Sequence, residues 1–364
     1  MAEDGGLPGP VLVVGAGLLG TSIGLALTAR GVEVWLSDLN PEHVRTASGL
    51  GAGTPLRDGA SPSLVVVAVP PDAVGARVHE ALEAHPGAVV TDVGSVKSEP
   101  LEHLRRHLPD DADSGSLARY VGSHPMAGSE RSGPLAASAA LFDGRPWAVT
   151  PHERAAEPSV QAVLGLVALC GASPVVLSPA EHDQAVARIS HLPHLMAVLV
   201  AGRLAGASAE HLALSGQGVR DVTRIAAGDP RLWEQIIGAN APAVLTLLEE
   251  VQDRLATLHA AVSGSDRAAL GTLLAEGVAG TRAIPGKHGG PVRPTGSVYV
   301  AVPDHPGELA RLFADAGEAR VNVEDIHIDH DPGRPVGQVE LVVDVELADQ
   351  LCEALVGRGW TAYR

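Results

Sequence analysis

Between residues 11 and 177 the chain alternates short β-branched runs with stretches whose apolar positions recur at helical spacing. The runs at 11–14, 32–36, 64–69, 88–92 and 120–123 are mostly apolar. Strands of a parallel sheet, covered on both faces, have this pattern. Further strands are predicted at 147–150 and 174–177, with a helix over 158–170 between them. Strand and helix in alternation predict βαβ units and a Rossmann-type α/β domain over residues 11–178.

After Pro179 the strand pattern stops. Leu192, Leu195, Met196 and Leu199 recur at helical spacing, and residues 179–283 are predicted to form an all-helical domain. The stretch IPGKHGGPVRP (284–294) has the Gly and Pro content of a linker. Beyond it, strands are predicted at 297–302, 321–328 and 338–345, and helices at 307–316 and 348–357. With a short end strand these give a βαββαβ, ferredoxin-like domain over 295–364. Residues 1–10 are acidic, rich in Gly and Pro, and expected to be disordered.

Composition narrows the function. Of the 364 residues 45% are hydrophobic and 19% charged, as in a globular chain of two or three domains. The net charge of −17 argues against a nucleic-acid partner, because phosphate binding needs basic residues. Four Trp, three Tyr and two Phe leave little for base stacking. The longest apolar run, 64–71, is too short to cross a bilayer, and the N-terminus has no signal-peptide pattern. A cytoplasmic protein without membrane attachment is expected. Cys170 and Cys352 lie far apart in apolar helical patterns and are expected as buried thiols, with no metal site.

The first strand runs into G-x-G-x-x-G and then a helix. Gly15 permits the tight turn, Gly17 lets backbone approach a pyrophosphate, and Gly20 lets helix and strand pack closely. Leu18 and Leu19 open the helix, whose N–H groups face the phosphates. The second strand ends near Asp38, where a carboxylate bonds a ribose 2′-hydroxyl and repels a 2′-phosphate. NAD is therefore the expected cofactor, with Val69, at the end of the third strand, also lining its site. Arg45 is expected on a solvated helix face.

Four more clusters follow: DVGSVK (92–97), GSHPMAGSERSG (122–133), His182-Asp183 with SHLPH (190–194), and VRDVTRIA (219–226) with Trp233. The first two lie beyond strand ends, where open α/β sheets bind ligands. In this order the turn at Gly15 and these clusters resemble the prephenate dehydrogenase family. The C-terminal unit, with DHPGELA (304–310), resembles an ACT domain. The likeness spans nearly the whole chain. Gly94 stands where the family often has a polar residue, and Ser129 where threonine is common.

The resemblance implies NAD-dependent oxidative decarboxylation of prephenate to 4-hydroxyphenylpyruvate, in tyrosine biosynthesis, by a homodimer. It implies that His124 accepts the ring-hydroxyl proton, with Ser95 beside it and the nicotinamide. It implies that Arg224 grips a substrate carboxylate, that Ser190 and His194 line the pocket, and that Ser129 and Glu130 lie nearby. His191, Asp221 and Trp233 would support the pocket. In an ACT domain, Asp304, Gly307 and Asn322 would mark a regulatory site, with tyrosine as the effector; a dimerising domain without a ligand is the alternative.

The reaction needs a proton acceptor that titrates near neutrality and a cation for a dianion. Each residue also has a plainer reading. His124 could be a satisfied polar residue and Arg224 could pair with Asp221; Lys97 could be solvated, start a helix or take part in catalysis. His182 and Asp183 could merely cap a helix. Arogenate and 4-amino-4-deoxyprephenate are alternative substrates. A β-hydroxyacid dehydrogenase would carry a lysine on its helical domain, and none lies between Lys97 and Lys287. A non-enzymatic NAD and amino-acid sensor would have no need of His124 and Arg224, yet the sequence holds both.

Overall fold

The computed structural model describes residues 9–108, 115–128, 131–284, 294–330 and 336–364. Ser129, Glu130 and most of the expected linker and N-terminal segment lie outside the described residues. The chain divides into two compact units, Met1–Asp253 and Arg254–Arg364.

In the first unit, β1 (Val11–Val14), α1 (Leu18–Thr28), β2 (Val34–Ser37), α2 (Pro41–Gly49), β3 (Thr54–Pro55), β4 (Leu64–Val67), α3 (Pro71–Ala84) and β5 (Val89–Asp92) form a parallel sheet ordered β3-β2-β1-β4-β5. β1 and β4 are apolar along their length because both sheet faces are covered. Val13, Ile23 and Val66 pack in one core cluster, while Leu12, Val65 and Val78 pack in another.

After α4 (Ser98–His107), the strand expected at 120–123 departs from prediction. β6 (Gly122–Pro125) pairs antiparallel with β7 (Pro146–Thr150), which pairs parallel with β8 (Ser173–Val176) across α5 (Glu157–Leu169). A single parallel bridge, Val90 to Tyr120, ties this small mixed sheet to β5. An apolar run shows burial but not strand direction. The consequence is positional: β6 carries His124 past the end of β5.

The remaining elements of this unit are helical, as expected. α6 (Pro179–Val186) starts with a full capping box between Ser178 and Glu181. It continues through a π-helical turn, Ala187–His191, into α7 (Leu192–Leu204). Pro193 has no N–H for the carbonyl four residues back, which accounts for the widened turn. Short α8 (Ala209–Leu212) and α9 (Gln217–Thr223) precede a 3₁₀ turn, Arg224–Ala227, and then α10 (Pro230–Ala239). The division between units falls within α11 (Ala241–Ser263).

The run Pro179–Leu204 corrects the expectation that nothing here could span a bilayer. It is 26 residues long and holds an 18-residue window of mean hydropathy 1.3, so it passes on length and composition. Yet it carries His182, Asp183, His191 and His194, all buried, and these bond or stack within the first unit. Such contacts mark it as a helix of a folded domain.

The second unit contains the end of α11, α12 (Arg267–Ala283), and the βαββαβ run β9 (Thr295–Pro303), α13 (Glu308–Glu318), β10 (Val323–His330), β11 (Val336–Asp344), α14 (Ala348–Gly357) and β12 (Thr361–Tyr363). Its sheet is antiparallel, ordered β10-β11-β9-β12. Val298, Val300, Leu341 and Val343 alternate onto one face and pack with Leu312, Leu351 and Leu355. Cys170 is buried as expected, but Cys352 is only half-buried.

Candidate active site

The glycine turn fits a dinucleotide pyrophosphate. Gly15 has φ +101°, and a Cβ there would lie 2.3 Å from the Ala68 carbonyl oxygen. A Cβ on Gly20 would lie 1.8 Å from the carbonyl oxygen of Gly15, so α1 packs too closely for any side chain. Around Gly17 the space is open, and no side chain caps the helix there. Leu18 and Leu19 start the helix half-buried, and Val69 stands beside Gly15. Asp38 lies past β2. Its carboxylate accepts from Ala16 N–H at 2.7 Å and Asn40 N–H at 2.7 Å. Each oxygen keeps a lone pair for a ribose hydroxyl. Arg45 pairs with Glu42 on the exposed face of α2.

Lys97 is neither solvated nor exposed. It is 1% accessible, and its ammonium bonds Asp92 and the Ser123 carbonyl. Asp92 also accepts from Tyr120 Oη at 2.8 Å and Gly94 N–H at 2.9 Å. Burial lowers the Lys97 pKa, while Asp92 and Asp183 oppose that shift. Burial, then Asp92, holds the Tyr120 phenol well above its usual value. This network braces the segment between β5 and α4.

His124, on β6, is half-buried and keeps an accessible edge. Its Nδ1 lies 3.0 Å from His182 Nε2. His182 Nδ1 lies 2.9 Å from Asp183 Oδ1. The Asp183 carboxylate also accepts from the backbone N–H groups of Lys97 and Ser98, both at 2.8 Å, at the start of α4. His182 and Asp183 therefore do more than cap a helix. Burial raises the Asp183 pKa, but the bonds from His182, Ser98 and Lys97 outweigh it and hold the group below its usual value. Burial, followed by His182, Lys97 and His191, keeps His124 well below the ordinary histidine value, hence neutral near neutral pH. Ser95 is half-buried beyond β5. The group that orients His124 is His182.

His191 and His194 form a second cluster. Asn240, buried at the end of α10, donates to the Asp183 carbonyl at 2.8 Å and lies 3.2 Å from His191 Nδ1. Burial, opposed by Asp183, lowers His191 to about 4. His191 meets Trp233 edge-on at 6.2 Å, and His194 stacks on Trp233 at 3.5 Å. Burial also lowers His194, against a bond with the Ile225 backbone, while its buried Nδ1 has no partner among the described residues. Arg224 is exposed, next to Ile225 on the 3₁₀ turn. Ser190 is exposed and its neighbour His191 is buried, so the widened turn presents His191 inward. Asp221 takes a bond from Gln217 at 2.7 Å. Asn240 escaped sequence reasoning; no motif surrounds it, and only the approach of α10 to α6 gives it a role.

In the second unit, Asp304 and Gly307 lie on the exposed turn between β9 and α13. Gly307 has φ +96°, and nothing lies within 4 Å of a Cβ there. Glycine meets a backbone demand at this turn, not a steric one. Asn322 is exposed just before β10 and bonds Glu324 at 2.8 Å.

A dinucleotide turn, an acid past β2 and a neutral imidazole beyond the sheet's edge define a dehydrogenase of the Rossmann class. Residues 23–176 match the prephenate dehydrogenase nucleotide-binding domain, and residues 178–276 match the prephenate dehydrogenase dimerization domain. A probable prephenate dehydrogenase from Streptomyces niveus, NovF, is 37% identical over 96% of this chain and 98% of its own. A prephenate dehydrogenase from A. aeolicus, solved with hydroxyphenyl propionate and NAD+, aligns at TM-score 0.66 and 26% identity over 75% of this chain and 98% of its own. An arogenate dehydrogenase from Synechocystis aligns at 0.63 and 25%, over 75% of this chain and 98% of its own. The chain belongs to the prephenate dehydrogenase family. The βαββαβ unit lies beyond the residues matched by the two family models.

Proposed function

We propose that the protein catalyses NAD-dependent oxidative decarboxylation of prephenate to 4-hydroxyphenylpyruvate. The observation that carries this reading is the half-buried imidazole of His124, held at Nδ1 by His182, in a domain with a dinucleotide turn. NAD, held at Gly15, Gly17, Gly20 and Asp38, supplies a hydride acceptor. His124 takes the proton of the ring hydroxyl as C4 becomes trigonal. The ring carboxylate leaves as CO2, its bonding pair closes the aromatic ring, and His124 returns the proton to the phenol oxygen. Arg224 binds a carboxylate of the dianion, and His194 and Trp233 form a flat wall beside it. Ser95 and Ser190 also line the pocket in this reading.

The protein acts as a homodimer in the cytoplasm. Leu255, Val262 and Leu274 of the second unit are 61–64% exposed, bare apolar side chains that a second copy would cover. In the C-terminal unit, Asp304, Gly307 and Asn322 form an ACT-type effector site for tyrosine, tested by calorimetry with the free amino acid.

Arogenate is the second reading, because the Synechocystis arogenate dehydrogenase aligns nearly as well as the A. aeolicus prephenate dehydrogenase. NADH formation with prephenate and arogenate side by side, each with NAD and NADP, decides. Turnover of prephenate with NAD is expected; turnover of neither substrate overturns the proposal.

A further inference from the structure

We propose that His182 and Asp183 form a relay that fixes the tautomer of His124, leaving its Nε2 as the proton acceptor. The geometry imposes the order. The Asp183 carboxylate already accepts two backbone N–H groups and can only accept from His182. His182 Nδ1, at 2.9 Å, must therefore carry the hydrogen. His124 Nδ1 lies 3.0 Å from His182 Nε2, and the relay places the hydrogen between them on His124, with the His182 lone pair accepting. With Nδ1 occupied by hydrogen, His124 keeps its lone pair on Nε2. No other bond to the His124 ring competes among the described residues.

The same residue sets a second imidazole the opposite way. The Asp183 backbone carbonyl accepts one hydrogen of the Asn240 amide, whose nitrogen also lies 3.2 Å from His191 Nδ1. An amide nitrogen only donates, so His191 accepts at Nδ1 and carries its hydrogen on Nε2. Asp183 thus holds one histidine as an acceptor and another as a donor. It also anchors the start of α4, which ties the relay to the backbone beyond β5. His182 is a positioning residue here; it touches His124 and not the substrate.

The relay serves the function proposed above, but its first test needs no substrate. Nitrogen-15 spectra of the histidine rings, with His124→Asn to identify the signal, report which ring nitrogen bears hydrogen. Hydrogen on Nδ1 of His124 is expected; a neutral His124 with hydrogen on Nε2 overturns the proposal. A protein with the expected tautomer but no turnover of prephenate or arogenate would leave the relay standing and remove only the substrate assignment.

The second test is kinetic. His182→Leu keeps bulk but offers no acceptor, and kcat is expected to fall roughly 10- to 100-fold at unchanged KM, as for a mispositioned catalytic group. His182→Gln can accept from His124 through its carbonyl and donate to Asp183 through its amide. It is expected to recover most of the lost kcat. Equal losses in the two variants, or a rise in KM alone, would show that His182 only fills space.

Discussion

Two regions of the first unit satisfy their side chains in opposite ways. Beyond β5, the buried polar groups Asp92, Lys97, Tyr120, His182 and Asp183 find partners within the same chain, through β5, β6, α4 and α6. On the helices, the apolar side chains of Ile189, Leu199 and Leu214 are 63–85% exposed. A lone buried charge costs several kcal/mol, so the first region must be complete before anything binds. The second can wait for a partner surface or a ligand. On the proposed function, the proton chemistry needs only the packed first unit, while the exposed apolar helical face needs a second copy.

The largest expected effect lies in the first region. His124→Asn should lower kcat by a factor of about 10²–10⁴ with little change in KM, as loss of a general base does. Steady-state rates at saturating NAD check it, and unchanged turnover would place the base elsewhere. Next comes Lys97→Met, which leaves Asp92 buried without its cation. Removing one partner of such a pair costs about 3–5 kcal/mol, read from denaturant midpoints. A loss no greater than that of an exposed pair would dissolve the contrast between the two regions.

Effects in the helical region should be smaller and fall on binding. Arg224→Ala removes a charge-assisted contact of about 1.5–3 kcal/mol, so KM should rise roughly 10- to 100-fold. A fall in kcat alone would contradict its role as an anchor. The smallest effect is a pH slope. His191 takes up a proton near 6.5 when unfolded and only at about 4 when folded. Between those values the unfolded chain binds more protons, so stability rises with pH there. The contribution is complete above 6.5 and is lost progressively as pH falls towards 4. Denaturant midpoints across this range should decline, and less steeply in His191→Gln.

Much of this arrangement was legible in the residue pattern. The strands at 11–14 and 64–69, the turn at Gly15 and the C-terminal βαββαβ order each rest on local signals, and the structure agrees with them. The direction of β6 was not legible, because an apolar run looks the same parallel or antiparallel. Lys97 does stand at the start of α4, but its burial was not legible, because its partners, Asp92 and Ser123, converge only when β5 and β6 lie side by side. The widened turn that leaves Ser190 exposed and His191 buried was not legible either, because a regular helical period does not anticipate it.

The order of residues alone determined where strands and helices fall, where a dinucleotide turn sits, and which histidines and arginines stand in the motifs. These depend on short-range sterics and on periodicity, which neighbouring residues settle among themselves. Tertiary structure decided which of those side chains meet. His124 and His182 are far apart in sequence, as are Lys97 and Asp183, and Asn240 reaches Asp183 from a different helix. Hydrogen bonds of this kind depend on ångström-scale distances between separate elements, and only the packed chain brings those elements together.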